Sequence, residues 1–216
     1  MAKKASKKEI EAIKKIFIER YSDAVTELDY SNAYELLISV LLSAQCTDKR
    51  VNIITPALFK KYPTVHELAQ ANLDDVKALI KTCSFFNNKA KNLIKMAQAV
   101  IENFEGEIPL DEKKLVTLAG VGQKTAHVIM IEYTQANLMA VDTHVYRVAH
   151  RLGLSDAKTA IQTEEELTKK FKSDLHILHQ AMVLFGRYIC KSQKPLCEEE
   201  CFMGEFCKSR EPFKPS

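Results

Sequence analysis

Leu118-Ala119-Gly120-Val121-Gly122-Gln123-Lys124-Thr125-Ala126 is the stretch on which the reading of this 216-residue chain turns. Two glycines flank an apolar residue, between a short helical segment over 111–118 and a longer one from about Gln123 to Tyr133. Glycine admits positive φ and lets the backbone come close to another molecule. The helix that follows opens with unpartnered N–H groups at the positive end of its dipole, which favours an anion such as a phosphate. Val121 is placed to pack between the two helices and hold the turn rigid. On the turn alone, an ordinary helical hairpin is an equally good reading. Lys124 falls in the first turn of the second helix. The dipole opposes a cation there, and partial burial would add to that; both favour the neutral, nucleophilic amine.

Downstream lies Val141-Asp142-Thr143-His144-Val145. Asp142 follows apolar residues and precedes a helical pattern over 143–153, so it reads as an N-cap. A carboxylate at that place is also a candidate for charge stabilisation, and the two roles are compatible.

Working outward, the helical period dominates. Asn32 and Glu35 have capping-box spacing before Tyr34, Leu36, Leu37, Ile38, Val40, Leu41 and Leu42, a segment apolar on nearly every side and so a buried central helix. A helix from about Asp48 is limited by Pro63. Thr64 and Glu67 open a short helix, and Leu73 to Ile80 form another. Asn87 is placed to cap a helix carrying Ala90, Leu93, Ile94, Ala97, Val100, Ile101 and Phe104, with Gly106 as its stop. Further helices are expected over 164–171 and 175–189. Val128-Ile129-Met130-Ile131 is β-branched, yet it continues the helix after the turn. Convincing period-two strands are absent. The fold class is therefore all-α with an irregular C-terminal loop. The tail Arg210 to Ser216 is expected to be loosely ordered.

The bulk numbers exclude more than they assign. An apolar fraction of 46% suits a globular protein, and no run of apolar residues is long enough for a membrane span. The lysine-rich start lacks an apolar segment behind it and is no secretory signal, which points to the cytoplasm. A net charge of +3 does not by itself demand nucleic acid. Of six cysteines, Cys46 and Cys83 stand apart, and Cys190, Cys197, Cys201 and Cys207 crowd the end of the chain. Four thiols in one loop suit a tetrahedral zinc ion or an iron–sulfur cluster.

Together these motifs resemble the endonuclease III family of helix-hairpin-helix DNA glycosylases, over about Tyr21 to Cys207. The resemblance implies a DNA base-excision repair enzyme, a glycosylase and abasic-site lyase acting on oxidised pyrimidines. Its nucleophile is Lys124, which forms a Schiff base with the opened sugar before β-elimination. Its catalytic carboxylate is Asp142. The target base is first flipped out of the stack. Gly120, Val121, Gly122 and Thr125 then belong to the phosphate-binding hairpin. Gln45, within Leu42-Ser43-Ala44-Gln45-Cys46-Thr47-Asp48, fills the gap left by the flipped base. Phe85 takes the place of an apolar wedge, where the family often has leucine. The cysteines hold a structural [4Fe–4S] cluster, zinc being the alternative, although their spacing of six, three and five departs from the family's six, two and five. Arg187, Lys191 and Lys194 near that loop, and His144 and Arg147 after Asp142, are the remaining candidate DNA contacts. Glu198-Glu199-Glu200 would oppose DNA. The family often has proline at Ala119, arginine at Gln123 and asparagine at His127; the missing arginine weakens one phosphate contact. His127 reads as an orienting residue, and His176 and His179 as ordinary helix residues.

The resemblance further implies two lobes, a six-helix domain over residues 26–136 and a cluster domain made of 1–25 with 137–216. Double-stranded DNA with damaged bases or abasic sites would lie across the cleft where Lys124 and Asp142 meet. A monomer with no membrane partner is expected. Two alternatives stay open. One is a monofunctional adenine-removing relative, against which Lys124 and the short tail argue. The other is a non-catalytic, zinc-stapled DNA-binding protein, which keeps the hairpin but does not need both Lys124 and Asp142.

Overall fold

The computed structural model describes residues 4–209, and the expectation for the tail 210–216 lies outside them. Among the described residues there is no strand, so the all-α reading holds. None of these helices is long and apolar enough to cross a membrane. The chain divides into two compact units, one over 26–134 and the other made of the described residues up to 25 and from 135 onward.

The first unit is built around α2 (Ala33–Ser43), in which every residue from Tyr34 to Leu42 but Glu35 is buried. Around it stand α3 (Asp48–Lys61), α4 (Val65–Ala69), α5 (Leu73–Ile80), α6 (Phe86–Phe104), α7 (Glu112–Leu115) and α8 (Gln123–Thr134). α2 packs against α3, α6 and α8, and α7 against α8. Leu36, Leu37, Ile38, Leu42, Leu93, Met96 and Ile129 share this core.

Local chemistry sets the ends. Asn32 accepts from the Glu35 N–H at 2.9 Å, but the Glu35 carboxylate turns back one residue further, to Ser31 N–H at 2.7 Å, so the expected box is only half closed. The box at Thr64 and Glu67 is complete. α3 stops at Lys61, before Pro63.

Two starts differ from expectation. Asn87 does not cap α6: the helix begins at Phe86, and its N-cap is Phe85 at φ 57°, ψ 29°, with Lys89 N–H closing the first turn on Phe85 C=O at 3.1 Å. A bulky residue in the left-handed region carries no sequence signal, because it is disfavoured there. The helix expected from near Glu164 begins instead at Ala160, because the Thr159 hydroxyl caps it through Gln162 N–H. The segment 111–118 is α-helical only over α7; beyond it Thr117 and Leu118 make tighter three-residue turns.

The second unit packs α1 (Lys7–Tyr21), α9 (Thr143–Arg151), α10 (Ala160–Phe171) and α11 (Leu175–Tyr188) around Phe17 and Phe185. Their rings meet edge-on at 5.5 Å between centroids, and Phe202 of the C-terminal loop lies 5.0 Å from Phe185. Gly186 of α11 lets α9 approach closely, since a Cβ there would stand 2.9 Å from His144 Cβ.

Candidate active site and nucleic-acid interface

In the hairpin, α8 makes its first helical hydrogen bond from Ala126 N–H to Gly122 C=O at 3.0 Å. The N–H groups of Gln123, Lys124 and Thr125 therefore have no helical acceptor. The two glycines differ in what they do. Gly120 sits at φ +83°, and a Cβ there would press on Asn92 at 3.1 Å. Gly122 has ordinary φ and nothing within 4 Å of its would-be Cβ. Its bareness serves nothing inside the protein; it leaves room for something outside. Val121 is buried between the helices, in the core cluster. A brace fixes the pair from behind: His127 Nε2 of α8 meets Glu112 Oε1 of α7 at 3.0 Å.

Lys124 is exposed, and Thr125 half-buried, at this helix start. The partial burial expected of Lys124 is not there, because the second position of α8 points away from the core that Ala126 and Ile129 enter.

Burial pushes the carboxyl of Glu132, near the end of α8, up to about 7, although the Thr26 N–H donated to it at 3.1 Å pulls the other way.

In the other unit, Asp142 is the N-cap of α9. Its Oδ1 accepts from His144 N–H and Val145 N–H, both at 2.8 Å, so one carboxylate oxygen holds the helix and the other is not used in that cap. The chain arrives at Asp142 through Ala140, whose carbonyl is bonded to buried His179 Nδ1 of α11 at 2.8 Å. His179 is thus more than an ordinary helix residue; it fixes the approach to the cap. The imidazole of His144 is pushed down by burial, and its Nδ1 lies 3.1 Å from an Arg147 amino group.

Arg147 is not placed to grip DNA. It is 5% exposed, and its guanidinium donates to the carbonyls of Cys190 at 2.8 Å, Gly186 at 2.7 Å and Thr143 at 3.3 Å. A charge so buried needs those acceptors, and they consume its donors. Arg151, one turn on, donates to Cys190 Sγ at 3.3 Å and to Lys191 C=O at 2.6 Å. Two arginines of α9 therefore anchor the cysteine loop to the helix that Asp142 begins. Arg151 escaped the reading of the sequence, although its spacing from Arg147 puts both on one helical face.

Cys190, Cys197, Cys201 and Cys207 line one pocket of about 340 Å³, its solvent mouth included, with Phe185, Met203 and Arg151 among its walls. Burial pushes the Cys190 and Cys201 thiols up, against the pull of Arg151 on Cys190. The three residues between Cys197 and Cys201, which are Glu198, Glu199 and Glu200, lie in a turn and all face solvent. Among the described residues no three His, Cys, Asp or Glu side chains converge as closely as the ligands of one metal ion do. Arg187 is half-buried in the last turn of α11, while Lys191 and Lys194 are exposed on the loop.

Gln45 and Phe85 sit on exposed loops of the first unit, both in the left-handed region, at φ 55° and 57°. Phe85 is 62% exposed, so it does not pack into the core. Under these loops Lys89 is 9% exposed, and its amine donates to Leu42 C=O at 2.7 Å and Ala44 C=O at 2.6 Å.

The sequence matches the family of HhH-GPD superfamily base excision DNA repair proteins over residues 38–173. It is 40% identical over 200 residues to endonuclease III of Rickettsia felis, across 92% of this chain and 93% of that protein. The chain belongs to the endonuclease III family. Other family members are also close: endonuclease III of Bacillus subtilis is 40% identical across 87% of this chain and 86% of its own length. That of Escherichia coli K12 is 38% identical, across 86% and 88%. Among solved structures, an endonuclease III trapped as a covalent intermediate with DNA superposes with a TM-score of 0.89 at 38% identity, over 94% of this chain and 96% of that one. A thermostable thymine-DNA glycosylase, at 22% identity and a TM-score of 0.82, shares the fold.

Proposed function

We propose that this family member is a bifunctional DNA N-glycosylase and abasic-site lyase of base excision repair, acting on duplex DNA that carries oxidised pyrimidines or abasic sites. The observation that carries the reading is Lys124: an exposed amine one residue inside a helix whose bare glycine entrance is open to a phosphate. In this reading the hairpin N–H groups and Gly122 grip the backbone, and the neutral Lys124 amine attacks C1′ of the flipped nucleotide as the base departs with its bonding electrons. Opening of the sugar C1′–O4′ bond leaves a C=N bond to Nζ. Loss of a 2′ proton then expels the 3′ oxygen and breaks the strand. Asp142 carries the carboxylate role, offsetting positive charge on the sugar. Gln45 and Phe85 occupy the disturbed stack, and exposed Lys191 and Lys194, with Arg187, supply phosphate contacts. His144 acts beside them, and Arg147 positions the loop.

The four C-terminal cysteines are assigned to a [4Fe–4S] cluster. One pocket shared by all four thiols suits that group, and buried Arg147 and Arg151 fix the loop for it. Its contribution is to cross-link a loop with few backbone hydrogen bonds of its own, leaving the chemistry to Lys124 and Asp142.

Borohydride reduction in the presence of a duplex with one oxidised pyrimidine is expected to trap the protein covalently. Trapping should fall to background in Lys124→Ala. Undiminished trapping in that variant would reject Lys124 as nucleophile, and no trapping by the natural protein would favour the non-catalytic DNA-binding alternative. Brown purified protein with bound iron supports the cluster; colourless protein with stoichiometric zinc rejects it.

A further inference from the structure

Cys46 and Cys83, which stand apart in the sequence, come together in the fold. The Cys83 thiol is 2% exposed, donates to Leu42 C=O at 3.2 Å, and lies 3.2 Å from the Lys89 amine. The Lys89 amine spans the Cys83 sulfur and the carbonyl of Ala44, two residues before Cys46, and Cys46 is itself only half-buried, so one thiol lies within reach of solvent and one behind it. Neither cysteine belongs to the C-terminal set, and neither is used by the chemistry above. Their setting is what gives them meaning. Cys46 directly follows Gln45, and Cys83 lies two residues before Phe85. The Lys89 amine that touches Cys83 also holds the carbonyls of Leu42 and Ala44, at the exit of α2 from which Gln45 projects.

We infer that Cys46 and Cys83 form a reversible thiol switch, closed to a disulfide by hydroperoxides, which locks the Gln45 and Phe85 loops together and stops excision. The inference rests on the reading of those two loops as the parts that enter damaged DNA.

The chemistry balances with the hydroperoxide as oxidant. The accessible Cys46 thiolate attacks the O–O bond, giving a sulfenic acid and releasing the other oxygen as water or alcohol. The Cys83 thiolate, held beside the Lys89 ammonium, attacks the Cys46 sulfur. The S–S bond forms, and hydroxide leaves to take up a proton as water. Two thiols lose two electrons and two protons, and one peroxide gains both. Burial raises the Cys83 thiol, and the Lys89 ammonium only works against that rise, so the Cys83 thiolate forms as it attacks.

Closing the bridge draws the two Cβ atoms to about 3.8 Å. It must take Cys83 Sγ off Leu42 C=O, the same carbonyl that Lys89 holds. Both loop residues already sit in a sparsely populated backbone region, where little slack is left. A covalent tie between them removes the freedom to open around an extruded base.

The test treats the purified iron-loaded protein with hydrogen peroxide, then maps peptides without reduction and measures excision of an oxidised pyrimidine before and after dithiothreitol. The expected result is a Cys46–Cys83 peptide pair short of two hydrogens, with excision lost and then restored by the reductant. Cys46→Ser and Cys83→Ser should excise normally throughout. Iron absorbance followed in parallel separates this from oxidation of the C-terminal loop. Cys46 and Cys83 recovered unlinked, or linked with excision unchanged, would overturn the switch. Should reduced protein excise nothing, the proposed activity fails, and the peptide map still decides the thiol pair by itself.

Discussion

The consecutive helices α8 and α9 begin in opposite ways. α8 enters through a glycine with empty space around it, and no helical acceptor meets its first N–H groups. α9 enters through Asp142, which takes up two of those N–H groups with its own carboxylate. A helix start satisfied from within is a stable support; one left bare is a receptor for an anion. The same polarity extends along the helices. α9 sends two buried arginines into the cysteine loop, whereas α8 exposes its lysine. In the proposed reading α8 meets a ligand, and α9 holds a carboxylate still.

The sharpest way to break this contrast is at Asp142, where cap and chemistry share one side chain. Asparagine caps as well as aspartate but has no charge. Asp142→Asn should therefore keep its thermal midpoint while excision falls by on the order of 10²- to 10⁴-fold. Asp142→Ala should lose the same activity and about 1 kcal/mol of stability as well. If Asp142→Asn excises normally, the carboxylate is only a cap and α9 is scaffold alone.

Arg147 tests the supporting half of α9. Arg147→Ala removes bonds to three carbonyls in a buried place and leaves those oxygens unmet. The expected cost is on the order of 3 kcal/mol in chemical denaturation, with weaker retention of iron by the loop. A nearly neutral substitution accompanied by a large fall in DNA affinity would return Arg147 to the DNA-binding face.

Glu132 is a half-buried acid at the far end of α8 from its open entrance. Its carboxyl is raised from 4.5 to about 7, so the folded state binds the proton more tightly than the unfolded chain does. Stability should be greatest below pH 4.5 as far as this group is concerned, fall as pH rises to about 7, and be level above. The whole change is at most roughly 3 kcal/mol. Glu132→Gln, whose amide oxygen still accepts from Thr26 N–H, should flatten that slope and be the more stable form at pH 8. Denaturation midpoints at pH 5 and pH 8 measure it; an unchanged slope in the variant places the titration elsewhere.

These contrasts were unequally visible in the sequence. The glycine bend, the caps at Thr64 and Asp142 and the apolar α2 are local, and local residue types specify them. What was missed has its cause far along the chain. Arg147 and Arg151 are defined by carbonyls of Gly186, Cys190 and Lys191, and a carbonyl has no residue type to read. The proposed pairing of Cys46 with Cys83 joins residues on two separate loops. The start of α6 hides behind Phe85, because a left-handed phenylalanine is a conformation that its neighbours enforce and its own identity opposes. Lys124 was placed correctly on its helix but given a burial it does not have, since the second position of α8 points away from the core that Ala126 and Ile129 enter.

The smallest effects come from the two glycines of the bend, and they separate fold from function most cleanly. Gly120→Ala puts a Cβ at φ +83° and against Asn92, so it should cost about 1–2 kcal/mol of stability. Gly122→Ala meets no atom and needs no unusual φ; it should leave the thermal midpoint unchanged or raise it slightly. Yet the added methyl stands where a phosphate is expected to approach. Loss of one charge-assisted hydrogen bond, about 1.5 kcal/mol, weakens binding to an abasic-site duplex roughly tenfold. Stability thus falls at Gly120, and affinity without stability at Gly122. If Gly122→Ala binds the duplex as tightly as the natural protein, the open space at the entrance of α8 does not receive the backbone, and the difference between the two helix starts has no bearing on DNA.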